Sequence, residues 1–548
     1  MFRKFLFIIS TLLISTACDV VDEVQISIVS PEKGSFISGA EPVTVTIKSD
    51  KKDIDVNGEI LKGGKNVEVT LPAVDGLGTV KASIPGDPLF AFRSWLQGTF
   101  LDPALHVPDS ISITLSQDLI GETTSPFGEI TSWLLTDEDL SPWVDNPLTM
   151  QITVLISTVN VNVNIDSAVA ENAEFQFEFL NNELHVNVTM TNVDGTYTAS
   201  AVSLNSTGTF HYDNINISGK VVFDENLRAS LVDSEVVTSE PVINDSGALN
   251  DNISALSDLF DEEVPAAIQS AAENATADVF DLLISNMAPS IRLEFDENPV
   301  TQESLPTSLT FENNMIKVTY STKFSSAISP AEGTGILERP ADLVDFNGEI
   351  GTASGSRIFN QIAYAAWNGG NLERTYSRGY LEDLGMEDLD FPYDNLNSVN
   401  IKMLLPPILE WRTDGPWIDA GGIELYLDVS ATDNATAWTA AKIPVKLIQV
   451  EDGFQLTVDE AREPVIEDAG FNKMSKLVDH DKVRRIMRSA IPGVISDLFG
   501  SMPIASVNPL TVPRFTGSGY CEITPTPTSM NSGTNNWNIY FTMSLAFH

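Results

Sequence analysis

The sequence predicts a mostly β chain of the α+β class, in which a small β-sandwich precedes two related units, each a long sheet closed by an amphipathic helix. Short stretches with alternating apolar residues, such as VTVTI at 43–47, recur along most of the 548 residues. Apolar residues also recur at three- and four-residue steps over 256–283 and again over 474–499. Strand-like hairpins precede both helical patterns, which indicates a repeated plan.

Composition limits the classes of partner. The chain is 43% hydrophobic and 20% charged, which is enough apolar material for several packed cores. Its formal net charge is -45 and its isoelectric point is near 4.2. A protein that binds nucleic acid needs a basic face to neutralise phosphates, so no nucleic-acid partner is expected.

Residues 1–17 have the pattern of a secretion signal: Arg3 and Lys4, a short apolar run and then small residues. The tetrad Ser-Thr-Ala-Cys at 15–18 resembles the bacterial lipobox, which implies that Cys18 is lipidated and becomes the new N-terminus. An ordinary signal cleavage near Ala17 is the alternative. We therefore expect secretion across the inner membrane and a membrane-anchored lipoprotein, periplasmic or at the cell surface. Residues 18–23 would form its lipidated tether, and Cys521 would be a free thiol.

Residues 24–86 are predicted to form the β-sandwich. The stretch DIDVNG at 53–58 opens like a calcium loop, but Gly64 stands where such a loop requires a bidentate Glu. We interpret it as a strand with Ile54 and Val56 inward, ending in an Asn-Gly turn. The stretches SPEKG, VTVTI and IDVNG resemble the immunoglobulin-like modules found beside bacterial surface domains. Such a module would space the remaining domains from the membrane.

Residues 87–290 are expected to form the first sheet-and-helix unit. An amphipathic helix over 115–135 is interrupted at Gly121 and Pro126. The apolar face of the following strands switches near 157–158, which favours a bulge or bend. The pair Asn181-Asn182 predicts a hairpin, and the long helical pattern over 256–283 contains Pro265.

Residues 291–548 repeat this plan, with a hairpin at Asn313-Asn314 and a final helix over 474–499. An additional helix, SRIFNQIAYAAWN, begins at Ser356 and is predicted to end at Gly369-Gly370. Together with its flanking residues, this helix resembles the C-terminal-domain helix of the bactericidal/permeability-increasing protein family. NIKMLLPPILEWR and IMRSAIPGVISDLFGSMPI resemble that family's Pro-Pro strand and closing helix.

That family belongs to the tubular lipid-binding superfamily, and the resemblance implies two elongated barrels at 87–290 and 291–548. Each barrel would be a curled antiparallel sheet wrapped on long amphipathic helices, with lipid in an apolar groove. The chain departs from the family pattern, because no disulfide is possible in its first barrel and the chain is acidic. The implied ligand is a phospholipid or another acyl lipid, with no cofactor. The residues implied to bind it are Leu256, Phe260, Ile268, Val279, Phe280, Ile358, Phe359, Ile362, Ala363, Ala366, Val494 and Leu498.

Catalytic motifs are missing from the sequence. It contains no Gly-x-Ser-x-Gly, no His-Glu-x-x-His and no phosphate loop, and its five histidines lack ligand spacing. We therefore expect neither an enzyme nor a metal site. A basic cluster over 473–488 is interpreted as a solvated face, or as a contact with phosphate head groups or an acidic partner.

The predicted function is that of a non-enzymatic lipid-binding or lipid-transfer lipoprotein. The alternative is a structural or adhesive surface lipoprotein whose β-rich modules contact an unknown protein partner. A carbohydrate-associated module is a third interpretation, which depends on Trp411 and Trp417 in a Gly- and Pro-rich stretch.

Overall fold

A computed structural model describes the chain from residue 22 to residue 548. The positions outside the description are 24–25, 88–89, 145, 155–156, 202–203, 248, 288–291, 296–297, 341–348, 380–396, 429–433, 451–452, 468–469, 475–490, 492–508, 515–518 and 534.

The N-terminal region consists of short strands. They are β1 (Asp22–Glu23), β2 (Ile26–Ser30), β3 (Ser35–Ser38), β4 (Val43–Ser49), β5 (Asp53–Val56), β6 (Glu59–Lys62), β7 (Val67–Leu71), β8 (Gly76–Ser83) and β9 (Phe90–Gly98). β2, β4 and β7 form one sheet, and β3, β9, β8, β5 and β6 form a second. Val45, Ile54 and Trp95 belong to the core that the two sheets share, which makes this region a sandwich. Its last strand, β9, lies beyond the predicted boundary at residue 86.

The next part of the chain contains the longest strands and the longest described helix. Its elements are β10 (Phe100–Leu101), β11 (Val107–Ser116), α1 (Gln117–Ile120), α2 (Pro126–Leu135), β12 (Leu148–Val154), β13 (Ser157–Leu180), β14 (Glu183–Ala201), β15 (Leu204–Phe223), β16 (Ala229–Thr238), β17 (Val242–Asp245) and α3 (Ile253–Asn286), with 3-10 turns at Ser141–Trp143 and Asn250–Asn252. β12 to β16 pair in sequence order into a six-stranded sheet, with β17 beside β15. Helix α3 packs on this sheet with its apolar stripe inward.

The remaining elements complete two further sheets. They are β18 (Arg292–Leu293), β19 (Val300–Glu312), β20 (Met315–Ser325), β21 (Ile336–Leu337), β22 (Ile350–Gly355), α4 (Ser356–Asn368), β23 (Glu373–Ser377), β24 (Ser398–Met403), β25 (Ile408–Arg412), β26 (Gly415–Asp428), β27 (Asn434–Val450), β28 (Gly453–Val458), β29 (Val465–Ile466), β30 (Gly470–Met474), β31 (Leu510–Pro513), β32 (Tyr520–Ser532) and β33 (Asn536–Phe547).

These strands form an eight-stranded central sheet in the order β18-β19-β20-β11-β22-β33-β32-β31. A nine-stranded sheet is built on the path β1-β30-β27-β26-β24-β23, with β25, β28 and β29 at its side. One continuous core joins all three large sheets, since it includes Phe177, Ile113 and Ile418. Among the described residues, no helix is long and apolar enough to cross a bilayer.

The predicted fold class is wrong in its main feature. The described residues form three half-barrel sheets and one long helix, α3, and not two barrels that are each wrapped on long helices. The reason is non-local pairing: β11, from the first half of the chain, lies between β20 and β22 in the central sheet. Local periodicity identified these strands but could not show that a strand from the first half pairs with strands from the second half. The predicted final helix over 474–499 lies almost entirely outside the described residues.

Several local predictions are confirmed. Asn181-Asn182 and Asn313-Asn314 each join two antiparallel strands, and all four have positive φ, between 53° and 63°. Asparagine tolerates this left-handed conformation, which two-residue hairpin turns require. Ile54 and Val56 are buried, as expected for the strand before the Asn-Gly turn. The helix over 115–135 is broken into α1 and α2, as Gly121 and Pro126 indicated.

The bulge predicted near residues 157–158 is wrong. β12 and β13 are separate antiparallel strands, with Val154 opposite Ser157. The apolar alternation changes phase there because the chain reverses direction in a hairpin, and the new strand begins its own alternation.

The N-terminal sandwich does not stand apart as a spacer. Phe90 and Phe92 of β9 share a buried cluster with Trp438 of β27, and the Lys33 ammonium lies 3.6 Å from the centre of the Trp438 ring. β1 also pairs with β30 at the edge of the nine-stranded sheet. The sandwich therefore packs directly on the second half of the chain.

Candidate functional site

The predicted ligand-binding residues of α3 all lie on its inward face. They are Leu256, Phe260, Ile268, Val279 and Phe280, each at most 2% exposed. The Tyr212 hydroxyl donates a hydrogen bond to the Phe260 carbonyl oxygen at 2.8 Å, which fixes the helix to β15. Burial of this kind is compatible with lining a lipid cavity or with filling a solid core.

The predicted residues of α4 are buried in the same continuous core. They are Ile358, Phe359, Ile362, Ala363 and Ala366. Asn360, beside them, accepts a hydrogen bond from the Leu409 amide at 2.8 Å and so ties the helix to β25. Val494, Leu498 and Cys18 lie outside the described residues.

Aromatic rings are packed together near the C-terminal end of α3. The Phe280 ring centre lies 4.9 Å from that of Phe127, 5.6 Å from that of Phe177 and 5.8 Å from that of Phe223. Rings at these distances are in contact. This part of the interior is therefore filled by side chains, and any open volume must lie beside it.

Such a volume exists at the surface of the same helix. A groove of about 480 Å³ lies between the second half of α3, the end of α2 and strand β31. Its apolar walls are formed by Leu134, Val279, Leu282 and Val512. This volume falls within the range of about 300–1,000 Å³ that small-molecule sites occupy. Val279 is the predicted residue that lines the groove.

Local sequence explains how α2 reaches the groove. Ser125 precedes Pro126, and the Ser125 hydroxyl accepts a hydrogen bond from the Gly128 amide at 3.2 Å. A serine cap followed by proline in the first turn is a strong helix start. The helix ends at Leu135, so Leu134 lies in its last turn against α3.

Two acidic residues of α3 lie on the rim of the groove, three positions apart and hence on one face of the helix. Asp281 is engaged by the protein: its carboxylate accepts hydrogen bonds from the Arg228 guanidinium at 2.8 Å and from the Ala229 amide at 2.9 Å. Asp278 has no hydrogen-bond partner among the described residues. Partial burial, together with the Asp281 charge, raises the pKa of Asp278.

Arg514, directly after β31, also lines the groove. One terminal nitrogen of its guanidinium, Nη2, donates to the carbonyl oxygens of Trp133 at 3.0 Å and Thr136 at 2.8 Å, at the C-terminal end of α2. The guanidinium also lies 4.9 Å from the centre of the Trp133 ring. Its Nε is buried and has no partner among the described residues. Arg514 is thus held in place by backbone carbonyls and a ring, and none of the described carboxylates neutralises its charge.

Sequence reasoning missed Arg228, Asp278, Leu282, Val512 and Arg514 as groove residues. Among them only the two arginines gave a signal, since arginine is infrequent in this acidic chain. Nothing in local periodicity could place β31 beside α3, more than two hundred residues earlier.

Two smaller cavities, of about 220 and 380 Å³, adjoin the C-terminal end of α4. Both are lined by Ile328, Ser329 and Asn368. The Asn368 side-chain amide donates to the Ile328 carbonyl oxygen at 2.8 Å, which fixes the loop after β20 to the helix. The cavities have mixed polar and apolar walls and do not include the predicted residues of α4.

The carbohydrate interpretation loses its basis. Trp417 is 7% exposed and is covered by the guanidinium groups of Arg412 and Arg462. The Trp411 ring packs on Trp537, with 5.0 Å between ring centres. Trp417 is therefore buried beneath two guanidinium groups, and Trp411 is in contact with another ring.

Among the described residues, no group of three or more His, Cys, Asp or Glu side chains could hold a metal ion. The basic cluster over 473–488 lies outside the described residues except for the backbone of its first two positions.

Comparison with known proteins gives only distant likenesses. No family model matches the chain, and no curated protein matches it. The chain is similar to the crystal structure of lipopolysaccharide binding protein, with 11% identity and a TM-score of 0.37 over 80% of this chain and 99% of that chain.

The structures of P47 from Clostridium botulinum E1 and A2 are also similar. Each is 8% identical with a TM-score of 0.22, covering 80% and 79% of this chain and 100% and 96% of those chains. Likenesses at these scores do not establish membership of the bactericidal/permeability-increasing protein family, and they assign no function.

Proposed function

We propose that this chain is a non-enzymatic protein that binds an amphipathic acyl lipid in the groove between α3 and β31. The observation that carries the proposal is a groove in which four apolar side chains, those of Leu134, Val279, Leu282 and Val512, line the same volume as four charged side chains. An acyl chain gains about 0.8 kcal/mol for each methylene that it buries, so a short segment is enough to retain a lipid.

The predicted cellular context agrees with this proposal. A secretion signal at 1–17 and a lipidated Cys18 would place the groove near a membrane that supplies acyl lipid. As a lipoprotein of the periplasm or cell surface, the chain would carry or sequester lipid rather than modify it.

Replacement of Leu282 by Trp tests the proposal, because the larger ring would occupy the groove. We expect uptake of a fluorescent acyl probe by the purified chain to fall at least about tenfold, the loss of roughly 1.4 kcal/mol of binding free energy. Solvent extraction and mass spectrometry of the wild-type chain should identify co-purified lipid, and the variant should carry less.

Val237→Trp provides the matched control, since Val237 is 56% exposed on β16, away from the groove. This variant should take up the probe like the wild type. Both variants should keep the wild-type circular dichroism spectrum. A Leu282→Trp chain that binds the probe normally would contradict the proposed site, and a wild-type chain free of lipid and probe would favour the structural or adhesive alternative.

A further inference from the structure

The charges on the groove rim differ from those of the chain as a whole. Arg228 and Arg514 contribute two positive charges, and Asp278 and Asp281 contribute two negative charges, so the rim sums to zero. The complete chain has a formal charge of -45. A neutral rim that holds both signs is complementary to a ligand that is itself zwitterionic.

Only two of these four charges are left for a ligand. Arg228 and Asp281 neutralise each other, because their ion pair measures 2.8 Å. Asp278 has no hydrogen-bond partner among the described residues. The Arg514 guanidinium donates hydrogen bonds to backbone carbonyl oxygens, and no described carboxylate pairs with it. The groove thus presents one carboxylate on α3 and one guanidinium directly after β31, together with its apolar lining.

We propose that the groove selects a phospholipid whose headgroup carries a primary ammonium, with the phosphate beside Arg514 and the ammonium beside Asp278. This inference rests on the proposed function. A primary ammonium can donate hydrogen bonds to the Asp278 carboxylate, whereas a choline headgroup has no N–H and a glycerol headgroup has no positive charge. Guanidinium is the side-chain group best suited to phosphate oxygens.

The surroundings of Asp278 support this assignment. Its carboxylate accepts no hydrogen bond and forms no ion pair among the described residues, and burial and the neighbouring Asp281 charge raise its pKa. An ammonium placed beside it would supply that cation and remove the repulsion. Arg514 is already oriented by the end of α2, so phosphate binding would need little rearrangement of that side chain.

Native mass spectrometry of the purified full chain, released from detergent, tests the inference. The chain is incubated separately with dioleoyl phosphatidylethanolamine, phosphatidylcholine and phosphatidylglycerol, which share the same acyl chains. We expect the ethanolamine lipid to bind about tenfold more tightly than the glycerol lipid, the effect of one charge-assisted hydrogen bond at a partly exposed site.

Asp278→Asn should reduce this preference to near equality, because binding of the ethanolamine lipid should weaken. Asp258→Asn is the matched control: it makes the same change at an exposed position of the same helix and should keep the preference. Equal binding of the three lipids by the wild type, or an unchanged preference in Asp278→Asn, would overturn the inference alone. A wild-type chain that binds none of the three lipids would overturn the proposed function as well.

Discussion

Replacing Phe280 by Ala is expected to destabilise the six-stranded sheet and its helix by about 3–5 kcal/mol, the usual cost of removing a buried phenyl ring. The Phe280 side chain is 1% exposed and contacts three other rings, those of Phe127, Phe177 and Phe223. Its removal would leave a cavity that these rings cannot fill without moving the helix. The change should lower the midpoint of urea unfolding followed by circular dichroism.

Phe547→Ala is the matched control for this experiment. Phe547 is 43% exposed on β33 and contacts one ring, that of Trp133, at 5.4 Å between centres. The same substitution there should cost about 1 kcal/mol or less, because little buried area is lost. If Phe280→Ala were as mild as the control, the interior beside α3 would be hollow rather than packed.

Replacing Arg339 by Ala should destabilise the chain by about 3–5 kcal/mol, because it removes one partner of a buried ion pair. The Arg339 side chain is 9% exposed and its Nε donates to both Glu410 carboxylate oxygens at 3.1 Å. Its Nη1 donates to Asp75 of the N-terminal sandwich at 3.0 Å. The variant would leave Glu410 partly buried without its cation and weaken the attachment of the sandwich. Thermal unfolding followed by tryptophan fluorescence measures the effect.

The loss of stability in Arg339→Ala should depend on pH. Burial raises the pKa of Glu410, and Arg339 acts in the opposite direction. Without Arg339 the folded-state pKa would rise further above the unfolded value. The part of the cost that comes from the uncompensated Glu410 carboxylate is therefore complete above the folded-state pKa of the variant. It shrinks as the pH falls through that pKa and is lost below the lower folded-state pKa of the wild-type chain. A smaller deficit at about pH 5 than at about pH 8 is expected.

Arg292→Ala separates this effect from the general loss of a surface ion pair. Arg292 and Glu294 are 62% and 70% exposed, so loss of their ion pair should lower the free energy of unfolding by at most about 1 kcal/mol. A double variant, Arg339→Met with Glu410→Leu, should recover much of the stability, because no buried charge then lacks a partner. Equal deficits in Arg339→Ala and Arg292→Ala would show that Arg339 does not join the sandwich to the second half.

Local pattern was reliable where one segment determines its own structure. The Asn-Asn hairpins needed only residues that tolerate positive φ. The apolar spacing and Pro265 of α3, and the two glycines after α4, were sufficient to place those helices. The same spacing also indicated which face α3 buries, since Leu256, Phe260, Ile268 and Val279 recur at that spacing and are each at most 2% exposed.

Predictions from local sequence pattern were wrong where segments distant in the sequence pair with each other. The central sheet inserts β11 between β20 and β22, and this exchange between halves replaces the predicted pair of barrels. The switch of apolar phase before β13 has the same appearance whether a strand bends or the chain reverses. Only the register, with Val154 opposite Ser157, shows the reversal.

The sequence by itself determined the β-rich composition, the strand and helix segments, and the apolar face that each segment buries, because these depend on residues a few positions apart. The tertiary structure alone decided which strands share a sheet, that the N-terminal sandwich packs on the second half, and that Arg514 and Asp278 line the same groove. Those arrangements depend on burial and pairing between residues separated by hundreds of positions, and local periodicity contains no information about them.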